Sequence, residues 1–350
     1  MKKALIVTPY LAHVGGGERY MLSAASAISS LGMQVYFAWE SAQDIEKIAH
    51  TLGIELPEFR LDKSVSSLYF AKNPLKMWQA TRNYDLVLYL SDGSIPLLGG
   101  KKNLIHFQVP FHGVNGRSPK NFLKKKLINN FIVNSGFTKK IIDAEYGISS
   151  RIVYPPVTEI GMPLHKENLI LSAGRFEPTL NIKKQDVLIE AFRQFSNQNS
   201  SCQLVLAGAA GESSSLWVDK LMEQAKGLNI SFAVNAPHEK LLDLYRRATI
   251  YWHAAGFGVN ENTAPELVEH FGITTAESIS AGCIPLVVPS GGQREIVEDN
   301  HFHWESTNEL VEKSLAIIAD PQPYHALLSE IDLTKFSAKQ FTSRLRTILE

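Results

Sequence analysis

Short apolar strands alternate with helical patterns along almost the whole chain, and this alternation limits the fold more than any other feature. A strand followed by a helix and then by another strand is typical of a parallel sheet, because the helix returns the chain across one face. The sequence therefore predicts an α/β fold. The strands predicted in the first half are 3–8, 34–38, 86–90, 103–107, 131–133 and 151–154, and those in the second half are 169–173, 203–207, 230–234, 250–253 and 284–288.

A segment rich in proline and glycine separates the two series of strands. Residues 154–168, YPPVTEIGMPLHKEN, cannot form a regular helix or strand, and we interpret them as a hinge. A chain of 350 residues is long enough for two domains that each bury a core. We expect domains over residues 1–157 and 158–335. An amphipathic helix is expected within 336–350, and a return of this helix to the first domain is one option.

Composition favours a globular protein of the cytoplasm. No apolar run approaches the roughly 20 residues that span a bilayer. The opening segment is interrupted by Pro9 and His13 and lacks a small-residue cleavage site, so it is interpreted as a buried strand and not as a signal peptide. The two cysteines, Cys202 and Cys283, lie in apolar strand contexts without metal or redox spacing, which indicates buried thiols.

The formal net charge is zero, but the two halves of the chain differ in sign. Residues 1–160 contain 19 Lys and Arg against 12 Asp and Glu, and the remainder contains 16 against 23. Much of the basic excess lies in a short run beside apolar residues, which is a solvated helix face in one interpretation. In the other, it is a surface that meets anionic lipid or a phosphate-bearing acceptor, on the inner face of a membrane. The basic residues are Arg117, Lys120, Lys124, Lys125 and Lys126, and the apolar residues beside them are Phe122, Leu123, Leu127 and Ile128.

In the segment from Pro265 to Val288, PELVEHFGITTAESISAGCIPLVV, the carboxylates of Glu269 and Glu277 lie on either side of a glycine break. Phe271-Gly272 ends any preceding helix, and Thr274 and Thr275 are predicted to cap the next helix. Glu269 is thus expected on a loop and Glu277 one turn inside a helix. The start of a helix offers N–H groups to a phosphate, and a carboxylate one turn later can accept hydrogen bonds from ribose hydroxyls. Two isolated glutamates would instead be read as solvated surface residues.

This segment resembles the donor-binding signature of family 4 of the retaining glycosyltransferases, also called glycosyl transferases group 1. The likeness rests on two Glu separated by seven residues, on the sequence HFGI at 270–273 and on the Ala-Gly-Cys-Ile-Pro strand entry at 281–285. Residues 248–258 and 290–297 resemble the flanking parts of the signature. The resemblance implies the GT-B fold, in which two Rossmann-like, doubly wound parallel-sheet domains face one another across a cleft.

The resemblance also implies roles for residues of the second half. Glu269 would bind the transferred sugar and Glu277 the ribose, while the helix start at Gly272, Ile273 and Thr274 would bind the phosphates. Arg175 and a following lysine would stabilise the leaving diphosphate. The loop between them is longer than is usual in the family, so both Lys183 and Lys184 stay candidates, and Lys183 is slightly favoured. His253 lies where the family lines its nucleotide pocket, and a buried structural histidine is the equal alternative.

Two further candidates lie in the first half of the chain. Gly15, Gly16 and Gly17 follow the first strand and open a helix, so their N–H groups could approach a phosphate or sugar, as in the family's Gly-Gly turn. His106 ends a predicted strand, and the resemblance places it beside the transferred sugar, with His112 as the competing residue. A tight turn and a structural histidine are the plain alternatives.

The resemblance implies a retaining glycosyltransferase that moves a hexose from a nucleotide diphosphate donor, linked to uridine or guanosine, to an acceptor hydroxyl of a glycan, lipid-linked or small molecule. No cofactor is expected. An Asp-x-Asp motif is missing from the sequence, so metal-independent catalysis with arginine and lysine as the cations is expected. No nucleic-acid partner is expected. A GT-B epimerase or phosphorylase and a non-catalytic nucleotide-sugar-binding protein remain the alternatives.

Overall fold

The computed structural model describes residues 1–9, 11, 14–71, 73–163, 165–179 and 182–350. The chain divides into two compact units, each with its own parallel sheet. The N-terminal unit comprises Met1–Pro156 and Ala338–Glu350, and the C-terminal unit comprises Val157–Ser337. The boundaries expected from the sequence, after 157 and after 335, lie beside these divisions.

The N-terminal unit contains a seven-stranded sheet in the order β3-β2-β1-β4-β5-β6-β7, and every described strand pair in it is parallel. The change of direction between β1 and β4 makes the sheet doubly wound. Sequence patterns predicted all of these strands except β3, which is short and half-buried and has the charged residue Arg60 at its centre. The strands are β1 (Lys3–Val7), β2 (Gln34–Phe37), β3 (Phe59–Leu61), β4 (Leu86–Leu90), β5 (Lys102–Phe107), β6 (Asn130–Val133) and β7 (Arg151–Ile152).

Helices cover both faces of this sheet. They are α1 (Gly16–Ser30), α2 (Ala42–Leu52), α3 (Lys63–Phe70), α4 (Pro74–Thr81), α5 (Pro119–Lys125), α6 (Gly136–Tyr146) and the C-terminal α13 (Ala338–Leu349). Helices α1, α2 and α13 contribute to one apolar core, and α3, α4 and α6 contribute to the other. The C-terminal helix therefore packs in the N-terminal unit, through Phe341, Leu345 and Ile348.

Polar side chains fix where most of these helices begin. The N-cap residue of each helix from α2 to α6 accepts a hydrogen bond from a backbone N–H of the first turn, which satisfies a donor that the helix cannot. Helix α1 is different, because its N-cap is Gly15 and no side chain caps it. The capping residues of the other five are Ser41, Asp62, Asn73, Ser118 and Ser135.

The C-terminal unit contains a five-stranded parallel sheet in the order β10-β9-β8-β11-β12. Its strands are β8 (Glu167–Ala173), β9 (Gln203–Gly208), β10 (Ile230–Val234), β11 (Ala248–His253) and β12 (Ile284–Val287). Its helices are α7 (Gln185–Ser196), α8 (Ser215–Gln224), α9 (His238–Arg247), α10 (Ile273–Ser280), α11 (Thr307–Ala319) and α12 (Gln322–Leu328). The predicted class, two α/β units with parallel sheets, is confirmed.

Strands β11 and β12 of the C-terminal sheet are buried along their whole length. All six residues of β11 and all four residues of β12 are buried, as expected for strands covered by helices on both faces. Cys202 and Cys283 are free and buried, as the sequence indicates. Within the described ranges, no helix is long and apolar enough to cross a membrane.

Candidate functional site

Helix α10 begins at a glycine that leaves its first N–H groups without a side-chain cap. Gly272 is the N-cap and has a φ of 113°, a conformation that side chains rarely adopt. The expectation that Thr274 and Thr275 cap this helix is wrong, because both lie inside its first turn. The Tyr251 hydroxyl bonds Thr274 Oγ1 at 2.7 Å, and Gln293 Nε2 donates to Thr275 Oγ1 at 2.9 Å. Within the described residues, no side chain caps the positive end of α10, which is the end of a helix that attracts an anion.

The loop that carries Glu269 is held by the glycine pair that follows β12. The N–H of Gly292 donates to the Glu269 carbonyl at 2.7 Å. A Cβ on Gly291 would lie 2.1 Å from that carbonyl oxygen, and a Cβ on Gly292 would lie 2.3 Å from the His270 carbonyl oxygen. Glu261 accepts a hydrogen bond from the N–H of Gly291 at 2.8 Å. Only glycine allows these two backbone segments to come so close.

Two other predicted site residues, Lys183 and His253, contact the carboxylate of Glu269. Its Oε2 lies 2.6 Å from Lys183 Nζ and 2.9 Å from His253 Nε2. Burial alone would raise the pKa of Glu269, but the Lys183 ammonium and the hydrogen bond from His253 hold that pKa well below its usual range. Burial lowers the pKa of His253. Glu269 is therefore an ionised carboxylate, and His253 is a neutral imidazole that donates to it.

Lys183 and Lys184 occupy different environments. The Lys183 side chain passes over Gly174 at the end of β8, where a Cβ on that glycine would lie 2.8 Å from Lys183 Cγ. Lys184 adopts a left-handed φ of 54° and is the N-cap of α7. The structure brings Lys183, and not Lys184, to Glu269. Which lysine contacts the diphosphate stays a prediction, and this placement favours Lys183.

Arg175 follows β8 directly and is held through its backbone. Gln185, buried in the first turn of α7, donates from Nε2 to the Arg175 carbonyl at 3.0 Å. Within the described part of the chain, the Arg175 guanidinium has no hydrogen bond or ion pair. Because parallel strands present their carboxyl ends at one edge of the sheet, Arg175 after β8 and His253 at the end of β11 lie at the same edge.

Glu277 lies one turn inside α10, as predicted, and is 2% exposed. Ile273 and Thr274 lie on the same helix. Three of the predicted binding residues therefore share α10, and Glu269 lies in the loop just before it. Burial is the main cause of a raised pKa of the Tyr251 phenol, and the negative charges of Glu269 and Glu277 raise that pKa further. Tyr251 therefore stays protonated, and its ring lies beside the His253 ring with centroids 6.4 Å apart.

The candidates of the N-terminal unit also come together at one edge of their sheet. Gly15 is the N-cap of α1, and Gly16 and Gly17 open that helix. A Cβ on Gly17 would lie 3.7 Å from Gln108 Cγ, and Gln108 Oε1 lies 2.8 Å from His106 Nε2.

His106 is fully buried, and its ring stacks on Tyr20 of α1 with centroids 3.7 Å apart. Burial lowers its pKa to about 4. Contact of His106 with a sugar stays a prediction. His112, the competing residue, is exposed.

Sequence patterns did not single out several residues that support these candidates. Gln108 and Gln185 each use an amide to position a neighbouring site residue, and Gln293 bonds Thr275 in the first turn of α10. Glutamine has no spacing rule of its own, so no sequence signal distinguishes a positioning amide from a surface amide. Only the partner's location in three dimensions shows its role.

Comparisons with known proteins place the C-terminal unit in a family. Residues 161–330 match the family model described as Glycosyl transferases group 1. A similar protein is GDP-Man:Man(3)GlcNAc(2)-PP-Dol alpha-1,2-mannosyltransferase of Homo sapiens, 31% identical over 183 residues, which are 47% of this chain and 34% of that protein. A Dictyostelium discoideum protein of the same name is 28% identical over 222 residues, 57% of this chain and 42% of its own length. The chain thus spans less than half the length of these relatives.

Solved structures share the fold over nearly the whole chain. TarM superposes with a TM-score of 0.72 at 11% identity, covering 100% of this chain and 99% of the other. A glycosyltransferase from Rickettsia africae superposes with a TM-score of 0.69 at 16% identity, covering 99% and 97%. At these identities the likeness shows the fold alone. Residues 161–330 therefore match the Glycosyl transferases group 1 model, and the chain shares the fold of GT-B glycosyltransferases.

Proposed function

We propose that this chain is a retaining, metal-independent glycosyltransferase that moves a hexose from a nucleotide diphosphate donor to an acceptor hydroxyl. The observation that carries the proposal is the group of charges at one edge of the C-terminal sheet. Lys183 contacts the buried carboxylate of Glu269, and Arg175 follows the neighbouring strand without a described partner. This set has the cations that a leaving diphosphate needs and a carboxylate that can hold a sugar.

The chemistry follows from where charge develops. As the bond between the sugar and the diphosphate breaks, negative charge grows on the leaving phosphate oxygens. Arg175 offers a planar pair of donors for those oxygens, and Lys183 offers a compact charge. The open N-terminus of α10 adds backbone N–H groups. In the family the resemblance points to, the leaving phosphate itself accepts the proton of the acceptor on the same face of the sugar.

The donor base and sugar are suggested by the relatives. Their names specify a GDP-mannose donor and a glycan linked to dolichyl diphosphate. We therefore infer GDP-mannose as the first donor to test and a lipid-linked or free glycan as the acceptor. The Glu277 carboxylate would bind the ribose, which GDP and UDP share, so UDP-linked donors belong in the same panel.

The nucleotide can be identified by thermal shift of the full chain with GDP, UDP, GMP and UMP. A ligand that binds only the folded state raises the melting temperature in proportion to its affinity. We expect one diphosphate to raise the melting temperature more than its monophosphate. Glu277→Gln should reduce that rise, and the exposed substitution Glu239→Gln on α9 is the control. Equal shifts with all four nucleotides, or none, would rule out a nucleotide diphosphate site.

An epimerase or phosphorylase of the same fold is the alternative activity. Such an enzyme would convert the nucleotide sugar without any acceptor hydroxyl, so products analysed with and without acceptor distinguish it. A non-catalytic binding protein would show the same nucleotide shifts with no product. The ionised Glu269 beside a cation favours a working site, because burying such a pair without a role is unfavourable for folding.

The surface around α5 supports contact with an anionic membrane. Helix α5 has no buried residue, and four of the large apolar side chains exposed in the described structure lie within residues 114–127. They are Val114, Phe122, Leu123 and Leu127, which are 40%, 57%, 66% and 41% exposed. We call these four residues, together with Lys120 and Lys126, the α5 surface. Apolar side chains between lysines are suited to the interface of an anionic bilayer.

A further inference from the structure

The two carboxylate oxygens of Glu269 have different surroundings. Oε2 accepts hydrogen bonds from both Lys183 Nζ and His253 Nε2, at 2.6 and 2.9 Å. No described residue donates to Oε1. A carboxylate can accept at both oxygens, so the arrangement fixes one oxygen and leaves the other for a ligand.

The two donors to Oε2 differ in how freely they can move. His253 ends β11, a strand in which every residue is buried, and the residue is 2% exposed. Its ring is confined beside Tyr251. Lys183 lies in the segment before α7 and has a flexible four-carbon side chain that is 14% exposed. The lysine side chain therefore has more conformational freedom than the histidine ring.

The hydrogen-bond partner of His253 shows which ring nitrogen carries the proton. The pKa of the imidazole is lowered by burial and by the Lys183 charge, against the attraction of Glu269, so the ring is neutral at pH 7. An ionised carboxylate requires a donor, which places the proton on Nε2. Nδ1 is buried, with no hydrogen-bond partner within the described residues. His253 is therefore a second donor to the ionised carboxylate, besides Lys183.

A diphosphate that meets Arg175 and α10 would compete with Glu269 for Lys183. We propose that Lys183 exchanges Glu269 for the donor diphosphate, and that His253 is the positioning residue that then keeps Oε2 in place while Oε1 faces the sugar. The inference rests on the proposed function, since it requires a diphosphate at this edge of the sheet. Its consequence is that Glu269 weakens the binding of the nucleotide while it promotes turnover.

Calorimetry of the full chain with GDP and with UDP tests the exchange. Glu269→Gln removes the ion pair that holds Lys183 on the carboxylate, so the variant should bind the preferred diphosphate about fivefold more tightly, a change of about 1 kcal/mol. Lys183→Ala should bind it more weakly. In the Lys183→Ala background, Glu269→Gln should add little, because there is no lysine to release. Melting temperatures of all variants check that each is folded.

The outcomes separate this inference from the proposed function. If neither diphosphate binds the wild type, the proposed function fails and the inference with it. If a diphosphate binds but Glu269→Gln leaves its affinity unchanged or weaker, the exchange is wrong. Equal tightening with and without Lys183 would also contradict it, because simple loss of a repelling charge would then explain the effect.

A pair of substitutions tests the positioning role of His253. His253→Leu removes the donor, and His253→Gln restores an N–H that can reach Glu269. We expect the Leu variant to lose about tenfold or more in kcat, with diphosphate affinity changed less than threefold, on the scale of a misplaced catalytic group. The Gln variant should recover part of the loss. Equal losses in both variants at equal melting temperatures would overturn the role, as would a fall in diphosphate affinity that matches the fall in kcat.

Discussion

The charged groups of Arg175 and Lys183 differ in their contacts. The Arg175 guanidinium has no partner within the described residues, while the Arg175 carbonyl is held by Gln185. A cation that is held by its backbone, and whose charged group has no partner among the described residues, is arranged to meet an anion without breaking a described ion pair. Lys183 must break one, with Glu269. A diphosphate must therefore displace Glu269 from Lys183, which costs binding free energy, while it breaks no described ion pair at Arg175.

Removal of Arg175 should lower turnover strongly. We expect Arg175→Ala to reduce kcat by about a hundredfold, on the scale of losing one preorganised charge partner. Arg175→Lys should recover only part, because an ammonium lacks the planar two-point grip of a guanidinium. Steady-state rates with the preferred nucleotide sugar measure both, with exposed Arg246→Ala on α9 as the control. Full activity in Arg175→Ala would show that this cation does not contact the leaving group.

His106 gives the N-terminal unit a pH dependence of known sign. Its pKa is about 4 in the folded chain, below the ordinary value of 6.5. Between these values only the unfolded chain binds the proton, so the stability that the neutral ring contributes is lost as pH falls below 6.5. From pH 7 to pH 5 the loss is about 2 kcal/mol.

Denaturant unfolding of His106→Gln beside the wild type measures this loss. The free energy of unfolding of the variant should improve, relative to the wild type, by about 2 kcal/mol as pH falls from 7 to 5. His112→Gln, at an exposed position, is the control and should follow the wild type. Parallel curves for wild type and His106→Gln would contradict the buried, neutral histidine.

At the scale of elements, the glycine pair after β12 positions the Glu269 loop by contact of backbone with backbone. A Cβ on Gly292 would lie 2.3 Å from the His270 carbonyl oxygen and 2.6 Å from Phe271 Cα. Neither atom belongs to a flexible side chain, so the loop itself must move. Because Glu269 shares this loop, a shift of the loop displaces the carboxylate from Lys183 and His253.

Gly292→Ala should therefore lower turnover by about tenfold or more, as expected when a catalytic group is misplaced by a fraction of an ångström. Overpacking should also destabilise the chain by about 1–3 kcal/mol. Gly211→Ala is the matched control, because the nearest atom to its Cβ would be 3.9 Å away. Rates and thermal melts measure both effects, and a fully active, fully stable Gly292→Ala would show that the loop has another support.

The α5 surface is a second element with a measurable property. The charges of Arg117, Lys124 and Lys125 are tied to backbone carbonyls of Ala144, Ile95 and Tyr146 and so anchor α5 to its unit. Lys120 is exposed, and Lys126 lies over the Phe122 ring, 5.1 Å from its centroid. Phe122 and Leu123 are left facing solvent.

The full chain should sediment with phosphatidylglycerol vesicles at low salt and less at high salt, because screening weakens the attraction of the lysines. Phe122→Ser with Leu123→Ser should reduce the bound fraction several-fold, since apolar burial in the interface is lost. Leu216→Ser, 81% exposed on α8, is the control. No binding at low salt, or equal binding to neutral vesicles, would refute an anionic membrane as the partner of this surface.

Elements were more predictable from the sequence than the contacts between them. Strands such as β4 and β10 have the predicted bounds, because a mostly apolar run between polar residues marks where a strand begins and ends. β3 could not be predicted, since two half-buried residues on either side of the exposed Arg60 make no pattern. The Thr274 and Thr275 caps were wrong because Gly272 is the N-cap, and the two hydroxyls instead bond Tyr251 and Gln293, which are distant in sequence.

At the scale of the whole molecule, the chain joins two parallel-sheet units that each present candidate residues at the carboxyl ends of their strands. The N-terminal unit presents the glycine turn and His106, and the C-terminal unit presents Arg175, Lys183 and Glu269. The second group could be predicted from spacing and resemblance. The link from Lys183 and His253 to one oxygen of Glu269 could not, because it joins residues separated by up to 86 positions.

The central claim is sugar transfer with retention, and a product assay tests it most directly. GDP-mannose and UDP-linked sugars are incubated with the full chain, with and without a panel of lipid-linked and free glycans, and products are resolved by NMR of the anomeric proton. We expect one nucleotide sugar to release its nucleotide diphosphate faster with an acceptor, to give a glycoside of unchanged anomeric configuration, and to do so in the presence of chelator. Arg175→Ala with Lys183→Ala should abolish the reaction. Conversion without acceptor, an inverted product, full loss of activity in chelator that magnesium restores, or undiminished turnover in the double variant would contradict the account.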